Sequence, residues 1–334
     1  MRRPTRPAQL DRRRFLSMGI GALVVATTPA ALRPRPTLVR RRIPVMGTVA
    51  EVAIPTRNEV WAQRAIDAAF AELRRIDQSM SRFRRESEVG RLNAAEGAWT
   101  AVSADTATVL AHALRWAEST RGRFDPCLER MSRVWDVSRR EVPPEDDALR
   151  PFAGVDLWRA LEVEATHVDA RARLTSSLAG VDLGGIGKGF AVDVAGEALR
   201  SFGVVDGLVN VGGDLLAMGA DPGGDPWVVG VRAADDPGRL ADELHVTDGA
   251  IATSGDYLRF FEHRGTRYHH LLDTTSGRPH RTPMRSITVT ARRCIDADAA
   301  ATGFFGVSAL EMRRAIRSVP VAVRVAHHIT EVTT

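Results

Sequence analysis

Lysine is nearly absent from this sequence. Of 46 basic residues in 334, Lys188 alone is lysine and the rest are arginine. Such a bias reflects genome composition rather than a binding surface. Much of the basic surplus behind the net charge of +5 lies near the N-terminus, at Arg2, Arg3, Arg6, Arg12, Arg13, Arg14, Arg33, Arg35, Arg40, Arg41 and Arg42. No later run interleaves basic residues with aromatics as single-strand binders do, so nucleic acid is not the expected partner. Cysteine occurs twice, at Cys127 and Cys294, without metal-ligand spacing. One disulfide in an oxidising compartment and two buried thiols both fit. G-x-S-x-G is missing and neither cysteine adjoins a histidine, so no resident nucleophile is evident. What remains is ordinary globular composition, 44% hydrophobic and 26% charged, with length enough for one large domain or two.

The N-terminus reads as an address. Arg12, Arg13, Arg14, Phe15 and Leu16 match the twin-arginine export pattern. The apolar run 18–27 that follows is too short for a comfortable membrane span, and small residues near position 30 suit a signal peptidase. Residues 1–31 are therefore expected to be a signal peptide and 32–42 an Arg/Pro linker. The main domain is expected over 43–334, placed in the periplasm or at an extracytoplasmic face.

Beyond the linker, strands and helices mix without strict βαβ alternation, which predicts an α+β fold. A strand is expected over 43–54, interrupted at Met46-Gly47-Thr48 by a bulge or a ligand contact. Helical periodicity follows over 59–80, then a polar surface loop over 81–95 with Ser81, Phe83, Ser87 and Asn93. Ser103 is a candidate N-cap for a helix running to about residue 121. Short strands are expected over 157–163 and 166–174, then at 227–232, 244–247, 285–291 and 319–325. A hairpin is expected around Arg264-Gly265. Helices are expected from Asp298 to Phe305 and over about 308–317.

The chemistry concentrates over 181–219, where the lone lysine sits in a glycine-rich turn that opens a helix at about Gly187. The turn suits anion binding by backbone N–H groups, or tight packing alone. It is not a Walker A loop, because Gly189 follows Lys188 where Ser or Thr would stand. Asp298 and Thr302, four apart, share one helix face and offer oxygen donors for Mg²⁺, although such a pair is common by chance. His269-His270 with Asp273 is an acid/base candidate or an ordinary strand end.

Together these pieces resemble the FAD:protein FMN transferase (ApbE) family. The matching stretches, in order, are MGT from Met46, MSRFRRESEVGRLN from Met80, RFDP from Arg123, Trp135, and VDLGGIGKGFAVD from Val181. NVGGD from Asn210, ATSGDY from Ala252, HHLLDTTSG from His269 and DADAAATGFF from Asp296 complete the series. The resemblance spans about residues 43–310. It implies two lobes around an FAD cleft, built of mixed sheets with packed helices. It further implies Mg²⁺-dependent transfer of FMN from FAD to a Thr or Ser hydroxyl of an acceptor redox protein, with AMP released. FAD pyrophosphatase activity and a non-catalytic flavin-binding accessory role are the alternatives. Membrane contact would come only through the acceptor.

By the same resemblance, Asp298, Thr302 and the backbone of Gly185 are the expected Mg²⁺ ligands. Met46, Phe83, Arg123, Phe124, Asp125, Asp182, Lys188 and Leu272 are the expected FAD contacts. His270 is the expected base, and Asp256, like Asp214, an expected loop-orienting group of the catalytic set. The sequence departs from relatives at Cys127, where threonine is frequent, and at Phe83, where an aromatic hydroxyl is frequent. DGAIAT at 248–253 resembles an acceptor motif, but Ile251 stands at the hydroxyl position, so self-modification is not expected.

Overall fold

A computed structural model describes residues 23–26, 36–236, 238–315, 319 and 321–328. Seven strands make the central sheet: β1 (Thr37–Val45), β2 (Thr48–Thr56), β3 (Gly207–Val211), β4 (Asp214–Met218), β5 (Gly249–Gly255), β6 (Met284–Ala291) and β7 (Val321–His328). Their order in space is their order in the chain, and every neighbouring pair is antiparallel. The sheet is thus a meander, and apart from Leu23–Ala26, which precedes β1, the other described elements are inserted between consecutive strands.

The insertion between β2 and β3 carries α1 (Glu59–Met80), α2 (Glu88–Ala94), α3 (Ala104–Ser119), α4 (Glu129–Trp135) and α5 (Gly187–Ser201). It also carries a small sheet of Thr100–Val102, Ala170–Leu174 and Leu161–Ala165. Between β4 and β5, Trp227–Arg232 pairs with Leu240–Val246 on one side and with Leu23–Ala26 on the other. Two short hairpins separate β5 from β6, and α6 (Cys294–Gly303) and α7 (Ala309–Ala315) separate β6 from β7.

The inner strands β3, β4 and β5 are buried on both faces, so they read as continuous apolar runs instead of alternating with polar residues. The period-2 pleat sorts them. Val52, Ile54, Val209, Leu216, Met218, Ala250 and Ala252 enter the large core under the helices. Ala53, Leu208, Leu215, Ala217 and Ile251 face the other way, against Trp227, Val229 and Val231. On α1, Ala62, Ala65, Ile66, Ala69, Phe70, Leu73 and Ile76 are all fully buried at helical spacing, and Asn58 caps the first turn by accepting the Trp61 N–H at 3.0 Å. Each large buried side chain there contributes roughly 1.5–3 kcal/mol.

Three expectations need correction. Residues 43–54 are not one interrupted strand: β1 and β2 form a hairpin whose two-residue turn is Met46-Gly47, with φ of 53° and 69°. Positive φ at both positions is the type I′ turn that fits the strand twist, and it is unusual for methionine. Residues 37–42, read as linker, belong to β1, where alternation inside an arginine run masked the strand. The 81–95 stretch is not all surface loop: α2 lies in it, capped by Ser87, with Val89 and Leu92 in the core. Two smaller differences concern boundaries. Residues 157–160 form a 3₁₀ turn instead of strand, and α6 begins at Cys294, which puts Asp298 in its second turn. The twin-arginine motif lies outside the described residues. No described helix is long and apolar enough to cross a membrane.

Helices α5 and α6 pack against each other through a glycine. A Cβ on Gly189 would stand 2.3 Å from the Cys294 carbonyl oxygen and 2.8 Å from Asp298 Cβ. Backbone cannot yield as a flexible side chain can. Gly189→Ala should therefore cost about 1–3 kcal/mol by overpacking, read as a lower urea midpoint with an unchanged slope. Wild-type stability in this variant would show that the two helices are not in this contact.

Candidate functional site

The turn before α5 is pinned from both sides. Asn93 donates from Nδ2 to the Val181 carbonyl at 2.9 Å and accepts the Val181 N–H on Oδ1 at 2.6 Å. Asp182 accepts the Gly184 N–H at 2.9 Å, while its other oxygen lies 3.1 Å from Arg82 Nε. On the facing side, Asp193 of α5 accepts the first N–H groups of α6, from Cys294 at 2.8 Å and Ile295 at 3.0 Å. A carboxylate there satisfies orphan donors and complements the helix dipole.

These ties bring the first turn of α5 onto the second and third turns of α6. A Cβ on Gly185 would lie 2.8 Å from Thr302 Oγ1, so backbone and hydroxyl approach as only glycine allows. The Gly189 N–H donates to Asp298 Oδ2 at 3.0 Å. Lys188 Nζ pairs with Asp214 and stands 3.5 Å from Asp298 Oδ1. Gly185, Lys188, Asp298 and Thr302 are thus gathered across more than a hundred residues, with Asp214 of β4 added.

Burial dominates the electrostatics. It raises the Asp214 pKa, the charge of Asp298 raises it further, and Lys188 opposes both. Burial also acts to lower the Lys188 pKa, but the two carboxylates together outweigh it and keep the ammonium protonated above its ordinary value. Two carboxylates and one ammonium leave a formal surplus of one negative charge. Among the described residues no three His, Cys, Asp or Glu side chains form a metal cage. A carboxylate, a hydroxyl and a close backbone are instead the hard oxygen donors that Mg²⁺ takes, and the residues fit that ion.

His270 lies between the two short hairpins. Its backbone N–H donates to the Arg259 carbonyl at 3.1 Å, and Nδ1 lies 3.3 Å from the same oxygen. A carbonyl only accepts, so the proton of a neutral ring sits on Nδ1 and the Nε2 lone pair is left available. Enclosure pushes the imidazole down to about 3, helped by Arg259, His269 and Lys188. The Arg259 guanidinium lies 3.7 Å from where a Gly47 Cβ would be, which brings in the Met46-Gly47 turn. A cavity of about 540 Å³ opens there, lined by Pro44, Val45, Met46, Gly47, Thr48, Val49 and Asp77.

Other expected residues are differently placed. Asp125 is buried and accepts the backbone N–H groups of Cys127 at 2.7 Å and Trp158 at 3.0 Å, and burial pushes it up to about 7. Asp256 is buried against Arg285, 2.8 Å from its Nε, with Arg267 at 3.8 Å. Both carboxylates are engaged in holding the chain. Arg123 pairs with Glu311 at 2.8 Å. Phe124 is buried against Gly303, one residue beyond Thr302. Phe83 is 76% exposed, with the Arg82 guanidinium 4.3 Å above its ring. Leu272 is buried in a short hairpin strand. Sequence reasoning gave no role to Arg82, Asp193 or Arg259. Arg82 and Asp193 lie within quoted stretches, and their position beside glycine-rich or capped turns was the available signal.

Comparison with known proteins decides the family. The model of the ApbE family matches residues 46–325. The chain belongs to the ApbE family. It is 33% identical over 281 residues to the FAD:protein FMN transferase of Treponema pallidum, covering 78% of this chain and 76% of that one. It is 31% identical over 266 residues to the protein of the same name from Vibrio cholerae, with 78% of each chain covered. Among solved structures, an ApbE protein of Thermotoga maritima aligns with a TM-score of 0.77 at 26% identity, covering 86% of this chain and 93% of that one. The flavin transferase ApbE from Vibrio cholerae aligns with a TM-score of 0.74 at 27% identity, covering 88% and 95%. The α+β architecture is that of these ApbE neighbours.

Behind the site, His269 and His280 meet the edge of Phe305, and His269 Nε2 lies 3.0 Å from the His280 carbonyl. Burial lowers both imidazoles, His280 to about 4. They stay neutral in the fold but regain a value near 6.5 when unfolded. The unfolded chain therefore binds more protons below that pH. Their contribution to stability is complete above it and is lost as pH falls toward 4, by at most about 1.4 kcal/mol per pH unit for each group. His280→Gln should shrink the difference in unfolding free energy between about pH 7.5 and about pH 5, measured with urea. An undiminished difference would contradict the assignment.

Proposed function

We propose that this chain is an FAD:protein FMN transferase, moving FMN from FAD to a Thr or Ser hydroxyl of another protein and releasing AMP. The observation that carries the reading is the gathering of Gly185, Lys188, Asp298 and Thr302, in a site with no nucleophile of its own. Both cysteines are buried, and burial pushes their thiols well above the ordinary value. The attacking oxygen then has to come from the partner.

In this reading the acceptor oxygen forms a bond to the FMN phosphorus and the P–O bond to AMP breaks, AMP keeping the bridging oxygen. His270 Nε2 takes the hydroxyl proton. Lys188 and the positive end of the α5 dipole bind the diphosphate. Asp298, Thr302 and the Gly185 backbone would hold magnesium, which would supply positive charge against the charge that develops on the leaving phosphate. Met46, Phe83, Arg123, Phe124, Asp125, Asp182 and Leu272 mark where FAD lies, and Asp256 orients the loop before the hairpins. The export pattern at Arg12–Leu16 supports a redox-protein acceptor outside the cytoplasm, reached through the twin-arginine route.

Incubation with FAD, Mg²⁺ and a candidate acceptor, followed by intact-mass measurement, tests this. A mass gain of one FMN on the acceptor is expected. Free FMN and AMP beside unmodified acceptor would mean hydrolysis, and intact FAD under all conditions would mean a binding protein without turnover. Asp298→Ala should lower transfer by ~10²-fold or more while leaving the circular dichroism spectrum unchanged. Undiminished turnover in this variant would remove Asp298 from the site.

A further inference from the structure

Lys188 is the one lysine of the chain, and its ammonium stands between two carboxylates. The side chains of Asp214 and Asp298 are 3% and 4% exposed, so neither has water to spare as an alternative partner. Asp298 Oδ2 already takes the Gly189 N–H, and Oδ1 faces Lys188 at 3.5 Å. Asp298 is also the one side-chain carboxylate in the donor set with Thr302 and Gly185. One carboxylate therefore faces two cations, one built into the chain and one drawn from solution. Asp214 has no part in the donor set, and it lies on β4, where it can keep the ammonium when Asp298 is taken.

We infer that Lys188 is a resident counter-cation that competes with the divalent ion for Asp298, and that a bound diphosphate relieves the competition by drawing the ammonium away. Metal and diphosphate then bind cooperatively. This rests on the magnesium reading of Asp298, Thr302 and Gly185. Like charges a few ångströms apart in a shielded site repel strongly, so a divalent ion cannot settle on Asp298 Oδ1 while the ammonium remains there. The choice of lysine follows. An ammonium is a compact charge on a flexible stem and can be handed from one partner to another, whereas a guanidinium fork would clamp both carboxylates. Lys188 is the second residue of α5, so a diphosphate at the start of that helix meets the positive end of its dipole and the ammonium together. The direction of coupling is fixed by linkage: whatever ADP adds to metal affinity, the metal adds equally to ADP affinity.

Mn²⁺ binding to the full chain, followed by electron paramagnetic resonance with and without ADP as an unreactive diphosphate, tests the inference without any turnover. Wild-type protein should bind Mn²⁺ weakly alone and ~10-fold more tightly with ADP. Lys188→Met should bind Mn²⁺ ~10-fold more tightly than wild type without ADP and show little further gain from it. Lys188→Arg keeps the charge and should stay weak. Lys188→Met binding equal to or weaker than wild type would overturn the competition while leaving the metal site standing. Absence of Mn²⁺ binding in every variant would overturn the metal reading as well. Should Lys188→Met fail to fold, Asp214→Asn offers a second arm. It releases Lys188 onto Asp298 and should weaken Mn²⁺ binding, and unweakened binding would overturn the inference.

Discussion

Two helix beginnings meet here because residues 185 and 189 carry no side chain. A Cβ at either position would run into α6, at Thr302 in one case and at the Cys294 carbonyl in the other. The rest of the site depends on that approach. It sets the Gly189 N–H on Asp298 and puts Thr302 over the Gly185 backbone, and it stands Lys188 between Asp214 and Asp298. The supports are of the same kind on both sides: Asn93 grips the peptide of Val181 before α5, and Asp193 grips the first amides of α6. A site held to a fraction of an ångström needs such supports as much as it needs its reactive groups.

Burying three charges is expensive, and the mutual pairing of Lys188, Asp214 and Asp298 offsets only part of the cost. The uncompensated part has a sign. Two acids against one base leave a negative pocket, which burial makes more demanding of a cation. Around it are groups suited to an anion, namely the α5 N-terminus and the ammonium itself. A pocket suited to a cation and a phosphate-bearing ligand together fits a family whose curated relatives are named for their action on FAD. The absence of a competent thiol fits the same picture, since a transferase acting on another protein's hydroxyl has no use for a nucleophile of its own.

Much of this was legible from the sequence, and the failures have physical causes. The long amphipathic helix 59–80 was visible because its apolar stripe repeats over six turns, and Ser103 was visible as a cap. The link between Lys188 and Asp298 was not, because contact between residues 110 apart leaves no local periodicity. Only the ordered family motifs joined them. The β1–β2 hairpin was missed because its turn uses Met46, a residue that rarely takes positive φ, so no Asn-Gly or Asp-Gly marker stood there. Helix α2 was missed because it is only seven residues long and its surroundings are charged. Asp125 and Asp256 show a different limit: their motifs mark them, but not that they hold backbone amides and arginines. Distinguishing the two uses of a carboxylate requires knowing what faces it.

The central claim is that the first turn of α5 and the second and third turns of α6 form one cation and diphosphate site. Diffraction from crystals containing Mn²⁺ and ADP, recorded at the manganese absorption edge, tests it most directly. The account predicts an anomalous peak in contact with Asp298, Thr302 and the Gly185 backbone, with the ADP phosphates beside Lys188. A peak bound by other residues, or a diphosphate lying away from the start of α5, would contradict it.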